Sequence, residues 1–227
     1  MNKSQKILLL AALAGVALWA VPGLRILMLP FIYLGTHIHE LCHAVMALAT
    51  GGQPESIHVF MDGSGVTPVS GGNVLLVAAA GYPGAAFAGS LLILSGKTER
   101  GARRAFAGVA TALGLSLLLL VRGDLAGVLS ALFWIPVLAC AAWKLDDGQI
   151  RFASQFVGIV VGLNAFQSLL NLWNISLSGS IPTDATILAE HYWIPAPIWS
   201  ALFFALAAVV TGAALVLTTR AGQKQSR

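Results

Sequence analysis

Residues 36–43, inside an otherwise apolar segment that runs from about residue 24 to residue 50, read THIHELCH. On a helix, His39 and His43 are one turn apart and share a face, so two imidazole nitrogens can bind one metal ion. Glu40 lies directly beside this pair. The stretch therefore predicts a metal site on an apolar helix, and the rest of the chain has to supply the remaining ligand.

The composition of the whole chain is that of an integral membrane protein. Of its 227 residues, 57% are hydrophobic and only 10% are charged, against the roughly 25% charged residues of soluble domains. The net charge of +4 comes from short basic clusters between apolar runs, as expected for the cytoplasmic ends of membrane helices. No nucleic-acid-binding motif accompanies these clusters. We therefore expect a lipid bilayer, and no nucleic acid, around the protein.

The spacing of His39, Glu40 and His43 is the His-Glu-x-x-His signature of zinc hydrolases, in which the histidines bind Zn²⁺ and the glutamate acts as general base. The alternative is a pair of structural core histidines with a glutamate near a helix end. A carboxylate near the centre of a bilayer costs roughly 2.5 to 3.5 kcal/mol, which favours the functional interpretation. His37 lies outside the ligand spacing and is interpreted as a supporting polar residue of the helix.

Seven apolar runs predict an all-α polytopic membrane protein that forms a single domain, residues 1–227. They cover residues 7–21, 24–50, 73–95, 106–121, 125–143, 152–172 and 194–217. The first run would span only about 22 Å as a helix, less than the roughly 30 Å hydrocarbon core. The prediction is therefore six to seven transmembrane helices, with six full crossings favoured.

Two connecting segments have distinctive compositions. Between residues 51 and 72, short β-favouring runs flank a turn at Asp62-Gly63 and predict a small β-hairpin directly after the metal-binding helix. The basic cluster of Lys97, Arg100, Arg103 and Arg104 predicts a cytoplasmic loop. Residues 51–72 and 173–193 would then lie on the opposite side of the membrane.

The helix predicted at 73–95 carries a stripe of small residues at four-residue spacing, formed by Gly81, Ala85 and Gly89. Such stripes let neighbouring membrane helices approach closely, so packing is the favoured role. The alternative is that Tyr82, or the backbone group freed by Pro83, lines the metal site.

A catalytic zinc ion usually has three protein ligands and one open position, so a third ligand is required. The candidates on the side of the membrane where the motif helix ends are His58, Asp62, Asp184, Glu190 and His191. Asp184 is favoured because it precedes an apolar run and can lie at a helix start that faces the bundle. The alternative for Asp184 is an ordinary helix N-cap.

The His39–His43 motif in an early membrane helix, the following hairpin, the segment Ala80-Gly81-Tyr82-Pro83-Gly84 and a late acidic residue together resemble the site-2 protease family. The likeness is to its small peptidase-like branch without a PDZ domain. The resemblance implies a zinc endopeptidase with His39, His43 and Asp184 as metal ligands and Glu40 as general base. The family's aspartate is usually followed by glycine, whereas Ala185 follows Asp184 here.

The resulting hypothesis is a multi-pass protein of the cell membrane that cleaves another membrane protein in or next to a transmembrane segment. A helical substrate has to unwind to expose its scissile carbonyl, and the hairpin could pair with the unwound strand. A second hypothesis is a non-proteolytic zinc-binding membrane protein with a regulatory role. A third, metal transport, is disfavoured because the other apolar runs contain few ionisable residues.

Overall fold

The computed structural model describes residues 3–122, 124–178 and 182–224. Helices α1 to α9 are Lys3–Ala20, Leu29–Ala49, Val74–Ala78, Gly81–Ser95, Glu99–Leu119, Leu125–Lys144, Asp147–Ser178, Asp184–Tyr192 and Ala196–Lys224. Strands β1 to β4 are Gln53–Pro54, His58–Val59, Gly65–Val66 and Val69–Ser70. The structure is therefore mostly helical, and its only described strands are short ones between α2 and α3.

Helix α7 contributes the centre of the main hydrophobic core. Its buried residues Val157, Val161 and Leu169 pack in one cluster with Phe106 of α5 and Phe203 of α9. Helix α1 lies against the same helix through a second cluster, in which Leu8 and Ala11 contact Ile159. Helices α1, α5 and α9 thus pack against α7.

The motif helix begins with a proline in its first turn. Pro22–Met28 form a 3-10 helix, and α2 then begins at Leu29 with Pro30 in its first turn. Proline is tolerated there because the first backbone N–H groups of a helix have no partner inside the helix. The predicted apolar run 24–50 is thus divided, and residues 29–49 form one uninterrupted helix that contains the motif.

The predicted hairpin is present, and a second strand pair extends it. In the inner pair, His58 lies opposite Val66 and Val59 opposite Gly65. In the outer pair, β1 and β4 are also antiparallel, so the chain between α2 and α3 folds back on itself along its whole length. The backbone of Ile57 bonds to the corner between α5 and α6, which anchors the hairpin on that side.

The predicted helix 73–95 is divided into α3 and α4 at residues 79 and 80. Asn73 caps α3, since its side chain accepts a hydrogen bond from Leu76 N–H. Pro83 explains the break, because it lacks the N–H that would continue the ladder back to Ala79. As a result, α4 begins at Gly81 and points its first turn at α2.

The basic cluster is not the predicted loop. Thr98 caps α5, and Arg100, Arg103 and Arg104 lie in its first turns. Arg103 binds Glu99 one turn earlier at 2.8 Å, and its guanidinium donates to two carbonyls at the C-terminal end of α6. These contacts, together with the cap, extend the helix into the charged segment, so the loop prediction was wrong for these three arginines.

Four described helical segments are long and apolar enough to cross a membrane, and two shorter apolar helices accompany them. The four are Glu99–Leu119, Leu125–Lys144, Asp147–Leu177 and Ala196–Arg220; the shorter ones are Gln5–Ala20 and Gly81–Ser95. A multi-pass membrane fold follows from them, whereas the count of six to seven crossings stays a prediction. In the predicted loop 173–193, α7 continues to Ser178 and α8 forms a separate short helix.

Candidate metal centre

The two motif histidines lie on one face of α2, as their spacing predicts. Their Nε2 atoms are 3.0 Å apart. Nδ1 of His43 lies 2.7 Å from the Val77 carbonyl in α3, and because a carbonyl only accepts, this nitrogen donates. The proton on Nδ1 leaves the lone pair of Nε2 free to bind a metal.

Asp184 lies at the first position of α8 and faces this pair. Its Oδ2 atom is 3.3 Å from Nε2 of His39 and 3.3 Å from Nε2 of His43. The N-cap of α8 is Thr183, which forms a capping box with Thr186. Since Thr183 performs the capping role, the Asp184 side chain is free to face the histidines.

The Asp184 carboxylate has the properties of a metal ligand. Its Oδ2 atom is buried and has no hydrogen-bond partner among the described residues, although a buried carboxylate oxygen normally has one. Burial acts to raise the pKa of this carboxyl, but the two neighbouring imidazoles outweigh it and hold the pKa below its usual range. The buried oxygen without a hydrogen-bond donor is therefore the group that a bound cation would contact.

The three side chains fit a divalent metal ion. They form the single described group of three metal-ligating residues, and their ligand atoms lie within 4.8 Å of one another. Tetrahedral zinc with bonds of about 2.0 to 2.2 Å places neighbouring ligand atoms roughly 3.3 Å apart. The separations of 3.0, 3.3 and 3.3 Å match that spacing.

Gly81 at the start of α4 keeps the space next to the histidines open. A Cβ atom at this position would lie 2.4 Å from Nε2 of His39 and 2.4 Å from Nε2 of His43. Tyr82, the next residue, packs edge-on against His39 with 4.4 Å between the ring centroids, and it stacks on Phe203. Helix α4 thus forms one wall of the site, with an aromatic contact that holds His39.

Glu40 is buried beside the two histidines and is held by the hairpin. Its side chain is only 3% exposed. The Thr67 hydroxyl lies 2.7 Å from Glu40 Oε2 and 3.1 Å from the Glu40 backbone carbonyl, so its single proton is donated to Glu40, with the carboxylate oxygen as the nearer acceptor. Gly65 lies so close to this carboxylate that a Cβ there would be 2.6 Å from Oε1. The hairpin therefore covers the carboxylate and fixes its orientation.

His37 does not face the metal group. It is fully buried, and its Nε2 lies 2.7 Å from the hydroxyl of Ser116 in α5. Because that hydroxyl donates to the Leu113 carbonyl, it accepts from His37. His37 thus joins α2 to α5, in keeping with its interpretation as a supporting polar residue.

The other candidates for the third ligand lie elsewhere. His58 hydrogen-bonds to Ser56 and to Asp124 at the start of α6. Asp62 accepts hydrogen bonds from the hydroxyl and the backbone N–H of Ser64, which lower the pKa of its carboxyl. Glu190 and His191 are exposed on α8. None of the four joins the described metal-ligating group.

Sequence reasoning missed the roles of Thr67, Gly81 and the Val77 carbonyl. Thr67 lies in the segment 51–72 that was predicted to form a hairpin, and short β-favouring runs do not reveal which functional group a side chain meets. Gly81 was assigned to a packing stripe, and the only local sign of a further role was Pro83, which ends the preceding helix. A backbone carbonyl such as that of Val77 leaves no signal in the sequence.

Comparison with known proteins provides one match. A family model described as Peptidase M50B-like matches residues 8–214, nearly the whole chain and all of the side chains described above. No curated protein and no solved structure gives a significant match.

Proposed function

Since the chain belongs to the Peptidase M50B-like family, which is the site-2 protease family of membrane proteases, we propose that it is an intramembrane zinc metalloendopeptidase. One observation carries the proposal: His39, His43 and Asp184 bring three ligand atoms together beside the buried carboxylate of Glu40. Metal binding alone would not need an uncoordinated carboxylate there. A hydrolase needs one to accept and return protons.

Zn²⁺ bound by His39, His43 and Asp184 would supply a Lewis acid that polarises the scissile carbonyl and acidifies a water molecule. The choice of zinc rests on the two imidazoles and one carboxylate, which form the ligand set of many zinc hydrolases. The Nδ1 bond from His43 to the Val77 carbonyl supports the role, because such partners orient a ligating imidazole.

Glu40 would accept the proton of the attacking water and deliver it to the nitrogen of the leaving amine. The Thr67 hydroxyl orients the carboxylate for both transfers. Because the hairpin and α2 cover Glu40, bulk water is largely excluded, which strengthens the electrostatic interactions in the site.

The substrate would be a membrane protein, cleaved in or next to a transmembrane segment. The four apolar helices support a site embedded in a bilayer, and we infer that this bilayer is the cell membrane. An unwound substrate segment could pair with the hairpin, whose Gly65 and Thr67 lie at the Glu40 carboxylate. Backbone pairing of this kind would present a scissile carbonyl without requiring one particular side-chain sequence.

The decisive experiment replaces Glu40 by glutamine, which keeps size and hydrogen bonding but removes proton acceptance. Purified wild-type and E40Q proteins are reconstituted with a panel of tagged single-span membrane proteins, and new peptide termini are identified by mass spectrometry. The zinc content of both preparations is measured in parallel. Glu190→Gln on the exposed face of α8 is the matched control.

We expect E40Q to retain zinc and to cleave at least 10²-fold more slowly, in line with the contribution of general acid–base catalysis. E190Q should cleave like the wild type. Unchanged cleavage by an E40Q protein that holds zinc would refute the role of Glu40. Absence of cleavage by the wild-type protein across the panel would favour the zinc-binding, non-proteolytic alternative.

A further inference from the structure

A groove of about 660 Å³ runs between α5 and α6, away from the metal centre. Its wall on α5 includes Arg104, Ala107 and Thr111, and its wall on α6 includes Ile135, Ala139 and Trp143. Both helices are among the candidate membrane spans. The groove therefore opens toward lipid, and whatever fills it comes from the bilayer or from a protein within it.

One end of the groove is cationic. Arg104 is exposed and forms no hydrogen bond or ion pair within the part of the chain that the structure describes. Its neighbour Arg103, in contrast, is bound to Glu99 and to the end of α6. Trp143 is 79% exposed at this end, and the Lys144 ammonium lies 5.7 Å from its ring centroid. Lys144 follows Trp143 outside the groove lining, so Arg104 is the uncompensated cation that an anionic group in the groove would meet.

The rest of the groove is mostly apolar. From Arg104, its α5 wall continues through Ala107 to Thr111, which corresponds to about 10 Å of helix. Small side chains on both walls leave room for a linear hydrocarbon, and about 10 Å is a third of the hydrocarbon core of a bilayer. The ligand must therefore be an amphiphile with an anionic head and a chain that enters the membrane.

We propose that this groove binds an anionic glycerophospholipid, with its phosphate held by Arg104 and one acyl chain along the small residues. Basic pockets at the ends of membrane helices recognise anionic head groups in this way. Trp143 lies in the last turn of α6, and tryptophan is favoured at the ends of membrane-spanning helices. The site is independent of the metal centre and of the proposed proteolysis.

The test uses the full-length protein, purified in detergent and stripped of lipid by extensive washing. It is mixed with equimolar phosphatidylglycerol and phosphatidylcholine of identical chains, and bound lipids are counted by native mass spectrometry. Arg104→Gln removes the proposed phosphate ligand, and Ala139→Leu fills the groove. The matched controls are Arg100→Gln, in the same basic cluster, and Cys140→Leu, exposed on α6; neither residue lines the groove.

We expect the wild-type protein to retain phosphatidylglycerol preferentially. R104Q should lower this preference about fivefold, the contribution of one basic side chain near an anionic surface. A139L should lose the bound lipid, while both controls behave like the wild type. Equal losses for R104Q and R100Q would indicate general surface charge and overturn the proposal. A change of oligomeric mass in A139L without lipid loss would identify the groove as a helix-docking surface instead.

Discussion

Replacing Gly81 by alanine adds one methyl group at the point where α4 approaches the two histidines. The new Cβ would lie 2.4 Å from the Nε2 atoms of His39 and His43, whereas ordinary contacts begin near 3.4 Å. Either the imidazoles or α4 must therefore move by about 1 Å. Metal–ligand distances tolerate only about 0.2 Å, so a movement of the imidazoles on this scale disrupts coordination.

Helix α4 has little freedom to withdraw. Two turns further along α4, Gly89 approaches α7 so closely that a Cβ there would lie 2.9 Å from the Gly158 carbonyl oxygen. Overpacking a tight contact costs typically 1 to 3 kcal/mol, which corresponds to a roughly 5- to 150-fold weaker zinc affinity if the cost falls on the metal-bound state. We expect G81A to lose zinc accordingly.

The assay is zinc titration of purified, metal-stripped protein with a competing chelator, combined with thermal unfolding. Gly84→Ala is the matched control, because its Cβ would lie 2.6 Å from Cys42 Sγ, on the same two helices but away from the ligand atoms. It should lower the unfolding temperature and retain wild-type zinc affinity. Wild-type zinc affinity in G81A would refute the reasoning, and equal zinc loss in both variants would indicate general loosening of the α2–α4 contact.

Three further predictions concern the ligand, the base and the topology. Asp184→Ala should lose zinc as severely as His39→Ala, whereas Glu190→Ala should keep it. Metal analysis of the purified variants measures this, and full zinc occupancy in D184A would exclude the Asp184 carboxylate as a ligand. Thr67→Val should lower kcat/KM roughly 10-fold or more, because it removes a hydrogen bond to a charged group, and should leave the zinc content unchanged. Thr67→Ser keeps the hydroxyl and should restore the wild-type kcat/KM. Equal rates for both variants would contradict the role of Thr67 in orienting Glu40. Single cysteines in the β2–β3 turn should react with a membrane-impermeant thiol reagent in intact cells, and single cysteines at the start of α5 should not. The reverse pattern would mean that the protein has the opposite orientation in the membrane.

The sequence by itself determined the features that depend on neighbours along the chain. His39 and His43 share a face because helix periodicity places residues four apart one turn from each other. The membrane character follows from composition, and the hairpin from short β-favouring runs around Asp62-Gly63. The break before Gly81 was not predicted, although Pro83 is its local cause because proline cannot donate the hydrogen bond that would join α3 to α4.

Only the tertiary structure decided which distant groups meet the two histidines. The sequence left five candidates for the third position, and the packing of α8 brings Asp184 within 3.3 Å of both. The approaches of Thr67 to Glu40 and of Gly81 to the imidazoles likewise arise from the way the hairpin and α4 pack onto α2. Local periodicity determines which residues share a face of one helix. Contacts between separate elements depend on how all of them bury their apolar surfaces together, which no single segment specifies.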